Sequence, residues 1–170
     1  QQVVDFIEDY ITNIVDYTLT VVSFSSTTNS TTIVVKNLLH AKERLNVTID
    51  GNEYAITSVD ISASSITIGT ELNTVDVVVL QAPYYFHGTP KQVNLERSNN
   101  VDEDELYPFV WLYEILKVRK DRREVSIVDK TASIRMFFLD CYDDSDDLDT
   151  DEHYEQIVNR MYALAERVEE

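Results

Sequence analysis

Glycine, proline and cysteine are scarce in this chain, and each scarcity excludes a class of function. Three Gly and three Pro among 170 residues are too few for a linker or a disordered tract. Glycine stands only at positions 51, 69 and 88. The phosphate-cradling loops G-x-G-x-x-G and G-x-x-x-x-G-K-[ST] are therefore excluded, as is a G-x-S-x-G nucleophile elbow. Cys141 is the only cysteine, so no internal disulfide can form, which fits a reducing cytosol or an assembly made there. No apolar run approaches the ~18 residues of a bilayer-spanning helix, and no membrane partner is expected. Positive charge is also short: 14 Lys and Arg stand against 31 Asp and Glu, for a net charge of -17. Such a surface repels nucleic acid and anionic membranes over most of its area. It suits a wall that DNA passes without sticking.

Apolar and aromatic residues are plentiful. At 44% hydrophobic, with ten Tyr, six Phe and one Trp, the chain can bury one substantial core. Val3, Ile7, Tyr10, Ile14 and Tyr17 recur at helical spacing opposite Asp5, Glu8, Asp9 and Asp16, predicting an N-terminal amphipathic helix. TLTVVSF (18–24) reads as a strand, SSTTNSTT (25–32) as an exposed polar loop, and IVVKNLL (33–39) as a partner strand. Residues 45–82 read as a small inserted β-module. Its alternating runs are joined by DGNE (50–53) and a Ser-rich turn, and it closes on VDVVVLQAP (75–83). FVWLYEILKV (109–118) fits a strand or a buried helix, because periodicity does not separate the two. REVSIV (123–128) and ASIRMFFLD (132–140) read as strands joined by a DKT turn. Tyr154, Ile157, Met161, Leu164 and Val168 predict a C-terminal amphipathic helix, with Asp149 and Glu152 at its start. The expected fold is a single α+β domain over 1–170. It has a mainly antiparallel sheet, N- and C-terminal amphipathic helices packed on it, and the 45–82 module inserted. Ile7, Ile14, Ile157 and Leu164 are expected to be buried on the sheet.

Few residues offer chemistry. Asp147, Asp149 and Asp151 have the spacing of a calcium loop. Glu152, however, stands where such a loop needs Gly, and its twelfth position lacks the Glu it needs. The simpler reading is a solvated run that places negative charge at a helix N-terminus. Asp140, Asp143 and Asp144 surround Cys141 and disfavour its thiolate. His40, His87 and His153 lie far apart with no metal-binding spacing. No cofactor and no catalytic set is expected. In YYFHGTP (84–90), Pro83 and Pro90 bracket a segment in which Gly88 permits positive φ, so Pro83, His87, Gly88 and Pro90 read as a structural corner. One basic cluster stands out. Lys117, Arg119, Lys120, Arg122 and Arg123 supply five of the 14 positive charges. It reads as a solvated hairpin edge, a nucleic-acid patch or a dock for an acidic protein surface.

Four segments carry a resemblance: YFHGTPKQVNLE (85–96), LYPFVWLYEIL (106–116), SIRMFFLDCYD (133–143) and DEHYEQIVNRMYALAE (151–166). In that order they resemble virion structural proteins of tailed bacteriophages infecting Bacteroidetes, including crAss-like phages. The order helix, sheet, helix is also similar to phage tail-terminator and tail-completion proteins. The resemblance covers residues 83–168 and rests on packing residues. It implies a non-enzymatic ring subunit of the neck or head–tail connector, assembled in the bacterial host cytoplasm and located in the virion. Portal, connector or tail proteins would be its neighbours, and DNA would pass through without specific binding. An adaptor or baseplate-type binding module is the alternative. For a ring, the expected subunit contact sets Lys117, Arg119, Lys120, Arg122 and Arg123 against Asp143, Asp144, Asp146 and Asp147 of the next copy.

Overall fold

The computed structural model describes residues 3–99, 108–124, 127–140 and 157–169; for Val3, 96–99, 114–124 and 127–134 it describes the backbone course. The fold is mainly antiparallel sheet, curled, with a few short helices.

Asp50-Gly51 forms the tightest hairpin. Both residues have positive φ (49° and 85°), as a two-residue primed turn requires, and they join β4 (Asn46–Ile49) to β5 (Asn52–Asp60). The Asp50 carboxylate also accepts the backbone N–H of Val77 at 2.8 Å, tying this turn to the strand entering β7 (Val78–Leu80). The Ser-rich turn after Asp60 leads into β6 (Ser65–Ile68), held by Asp60 Oδ1 accepting from Ser62 Oγ and Ala63 N.

The polar tract 25–32 is not a loop. It forms most of a hairpin between β2 (Val21–Thr27) and β3 (Ser30–Val35), turning at Thr28-Asn29. Thr is a good strand residue, and β3 alternates so that Thr31, Ile33 and Val35 are buried. Thr31 is tolerated inside because its hydroxyl donates to Thr70 O (2.8 Å) and accepts from Leu72 N (2.9 Å).

These strands build one sheet in the order β1-β7-β4-β5-β6-β3-β2, where β1 is Thr18–Leu19. β1 and β2 are two halves of one stretch parted by Thr20, yet they stand at opposite ends of that order. The sheet therefore curls back on itself. Backbone bonds from Leu80 N to Tyr17 O (3.1 Å) and from Lys36 N to Thr20 O (3.0 Å) close it from either side. Residues 52–55 of β5 pair with β4 and residues 56–60 with β6, with a register shift between Ile56 and Ser58. The segment 45–82, expected as an inserted module, thus supplies β4 to β7 of the same sheet as β1 to β3. Ile33, Val47, Ile49, Ile56, Ile66, Ile68 and Val78 fill the inside of the curl.

A second sheet has the order β10-β9-β8, from β8 (Tyr84–Gly88), β9 (Phe109–Glu124) and β10 (Ile127–Leu139). β8 runs parallel to β9, and a parallel pair needs a crossover, which includes α2 (Pro90–Asn99). Residues 109–118 are thereby settled as strand. The DKT segment (129–131) is not a turn. Asp129, Lys130 and Thr131 pair with Asp121, Lys120 and Arg119, and the chain reverses between Glu124 and Ile127.

The N-terminal segment is α1 (Val3–Asp9) followed by a π turn (Tyr10–Ile14). The wider π turn rotates the apolar stripe, so Ile11 is fully buried whereas Ile14, expected inside, is 56% exposed. Ile7 and Ile157 are half-buried. In α3 (Asn159–Glu169), Met161, Leu164 and Val168 join the same buried cluster as the curled sheet. Asp149 and Glu152, expected to start this helix, lie outside the described residues.

Candidate functional site

Three features of the structure can carry function: a buried charge cluster, a groove beside β8, and the β9–β10 ribbon.

The charge cluster forms where the two sheets meet. Asp140, just past β10, has a side chain 1% exposed. It binds Arg160 of α3 at 3.0 Å and Lys42 at 3.3 Å. Arg160 Nη1 also donates to Ala41 O at 3.4 Å. Burial lowers the pKa of Arg160 while Asp140 holds it up. The neighbouring His40 is 1% exposed; its Nε2 lies 2.9 Å from Gln81 O, and Tyr17 meets its ring edge-on at 5.2 Å. Burial pushes the imidazole down to about 4, which leaves His40 neutral at physiological pH. A neutral His40 bonded to Gln81 O donates through Nε2. Tyr17 donates to Ile11 O at 2.8 Å, and burial pushes its phenol up. One network therefore ties the π turn, the 40–42 loop, the segment just after β7, the end of β10 and α3. Within it one buried carboxylate, Asp140, bridges two cations, Lys42 and Arg160.

An open groove of about 360 Å³ lies beside the start of β8, lined by Glu8 and Thr12, Leu45, residues 81–85 and Pro108. Its wall mixes polar and apolar surface, with one carboxylate at Glu8.

The expected corner divides into a strand and a helix start. Tyr84–Gly88 is β8, and His87, on that strand, is exposed. Gly88 has φ 141°, and a Cβ there would come within 3.0 Å of Gln92 Oε1 and 3.2 Å of the Phe86 ring, so glycine is required. Trp111 Nε1 donates to Gly88 O at 2.9 Å. Thr89 caps α2: its N–H and hydroxyl both donate to Gln92 Oε1, at 2.9 and 2.8 Å, and Pro90 takes the first helical position. Pro83 lines the groove.

The basic cluster lies on β9. Lys117, Arg119, Lys120, Arg122 and Arg123 fall beyond Tyr113, where, among the described residues, β9 no longer has β8 beside it and pairs with β10 as a two-stranded ribbon. The expected acidic partners Asp143, Asp144, Asp146 and Asp147, with Asp149, Asp151, Cys141 and His153, lie outside the described residues. Among the described residues no group of three or more His, Cys, Asp or Glu side chains could hold a metal ion, and no helix is long and apolar enough to cross a membrane.

The second sheet carries an aromatic face. Rows Tyr84–Phe109–Leu139 and Phe86–Trp111–Phe137 cross β8, β9 and β10. Trp111 stacks on Phe137 at 5.0 Å, and Tyr84 on Phe109 at 5.8 Å. Val93 of α2 covers the centre, leaving Phe109 4% exposed, whereas Phe137 is 42% exposed at the β10 edge.

Sequence reasoning missed Asp140, Lys42 and Arg160 as a unit. Asp140 reads as the first member of an acidic run, and nothing in its neighbourhood marks it as buried. The Thr89–Gln92 capping box was legible as T-P-K-Q but was read as part of the corner. No known protein family, no curated protein and no solved structure matches the chain.

Proposed function

We propose that this chain is a non-enzymatic structural subunit of a tailed-phage particle, a ring component of the neck or head–tail connector surrounding the DNA channel. The observation that carries the reading is the ribbon. Beside a curled, well-filled sheet, β9 and β10 form a long two-stranded extension, and its β9 strand gathers five of the 14 positive charges of a chain of net charge -17. An arm of opposite charge to the rest of the molecule is suited to binding another copy or an acidic neighbour such as a portal or tail protein. The acidic remainder suits a channel wall, since like charge keeps duplex DNA from adhering. The native mass tests this reading. A closed ring of several copies, visible by electron microscopy, supports it; a chain that stays monomeric with its neck neighbours present overturns it. Within a ring, Arg122→Glu with Arg123→Glu is expected to abolish assembly, and Asp146→Lys with Asp147→Lys to restore it in part.

The groove beside β8 favours a second reading, an adaptor or baseplate-type module that holds an extended segment of a partner against Tyr84 and Tyr85. A monomer that captures such a segment from a neighbouring virion protein supports this reading over the first.

A further inference from the structure

The outer edge of β10 is a long template. Both irregularities of the β9–β10 pairing insert their extra residues into β9. Between Ile127 and Val128 the partner jumps from Glu124 to Arg122, and between Ser133 and Arg135 it jumps from Lys117 to Tyr113. β10 runs for 13 residues, and of these only Ile134 drops out of the ladder, at the second irregularity. Among the described residues it pairs with β9 alone and ends its sheet. Edges of this length are usually blunted by bulges, because they pair with other chains. Here the bulges sit on the other strand.

The hairpin's own register also sets residues of like charge opposite each other across the ribbon. Asp129 stands opposite Asp121, and Lys130 opposite Lys120. Like charges directly opposite destabilise a sheet. Towards the other end of the strand, Phe137 and Leu139 are 42% and 37% exposed on the β10 edge of the aromatic face.

The sequence of β10, IVDKTASIRMFFL, is complementary to itself in one antiparallel register. We propose that two copies of this chain join edge to edge through β10, about a two-fold axis at Ala132. Asp129 then meets Arg135 of the other copy, twice. Ile127 meets Phe137, Val128 meets Met136, and Thr131 meets Ser133. Lys130 meets Ile134 as the one mismatch; the ion pairs and the apolar pairs agree in this register. Moving the axis to residue 131 or 133 sets Asp129 against Ser133 or Phe137 and loses both. The contact is isologous, so it closes at two copies and stands independently of the ring reading.

The test uses the full chain with Cys141→Ser. Ala132→Cys is expected to form a disulfide-linked dimer under mild oxidation, because residues opposite each other across an antiparallel pair bring their Cβ atoms about 4.5–5.5 Å apart. Asp129→Arg alone, and Arg135→Asp alone, should each weaken the dimer at least about tenfold in sedimentation equilibrium. Mixing the two variants should restore it as a heterodimer, since every contact is then Arg against Asp. A lone variant that loses its dimer by misfolding would not be rescued by mixing, and its circular dichroism and melting temperature would show the damage. Wild-type chain that stays monomeric at tens of micromolar overturns the proposal. So does a dimer that either charge variant leaves intact, or one that Ala132→Cys fails to trap.

Discussion

His40 shows how one side chain turns burial into pH dependence. Its imidazole sits inside the protein against Tyr17 and Gln81 O, with Asp140 and Arg160 close enough to act on its charge in opposite directions. Desolvation wins, so the folded pKa lies near 4, against 6.5 when unfolded. Above pH 6.5 neither state binds the proton, and His40 contributes no pH dependence. As pH falls from 6.5 to 4 the unfolded chain takes up a proton that the folded chain refuses, and stability is lost. Over that window the loss is on the order of 3 kcal/mol. Urea titrations between pH 7 and pH 4.5 are expected to show a steep decline that His40→Phe flattens; an unchanged slope in that variant counts against a buried neutral imidazole. Asp140 is the more severe position. Removing its carboxylate takes the shared anionic partner from Arg160 and Lys42, whose side chains are 16% and 14% exposed. Asp140→Ala is expected to cost about 3–5 kcal/mol. A cost below about 1 kcal/mol, read from the denaturation midpoint, would show that water reaches the cluster.

Elements were legible where local chemistry decides them. Asp50-Gly51 announces a hairpin because few residues tolerate positive φ, and the structure places a turn there with φ 49° and 85°. The apolar spacing of Met161, Leu164 and Val168 likewise matches their burial in α3. Elements were illegible where pairing over distance decides. DKT has turn-like composition, yet Lys130 lies in mid-strand because β9 supplies a ladder for it. SSTTNSTT looks too polar to order, but a neighbouring strand and two hydrogen bonds to the Thr31 hydroxyl make it a hairpin. The candidate site was hidden for the same reason, since Lys42, Asp140 and Arg160 meet only in three dimensions. At this scale the decisive test is α3. Leu164 is fully buried, so Leu164→Ala is expected to cost about 2–5 kcal/mol. Tyr162, 65% exposed on the same helix, should tolerate Ala within about 0.5 kcal/mol. Equal costs at the two positions would place α3 outside the core.

At the scale of the whole molecule, the two proposed contacts combine in a definite way. A ring needs a head-to-tail contact, whereas the β10 contact is two-fold; together they make two rings back to back, and the native mass would then be an even multiple of 19.6 kDa. Charge makes a separate demand. The net charge of -17 repels DNA, but the ribbon gathers five positive residues at 117–123. Which of these DNA experiences depends on salt. At about 0.15 M the Debye length is ~8 Å, so an approaching duplex meets local charge; near 0.01 M it reaches ~30 Å, and the duplex meets the whole acidic surface. A channel wall that DNA must slide past therefore has a distinctive signature. Fluorescence anisotropy with a labelled duplex is expected to show no binding tighter than about 0.1 mM at 0.15 M salt, and no gain as salt is lowered, because the long-range repulsion grows as the screening falls. The opposite result is equally well defined. If the five ribbon residues neutralise phosphates, affinity will rise steeply as salt falls, with a log–log slope of about four to five. Arg122→Glu with Arg123→Glu would then reduce that slope by about two. Such a slope would overturn the non-adhesive wall and make the ribbon a DNA-binding arm.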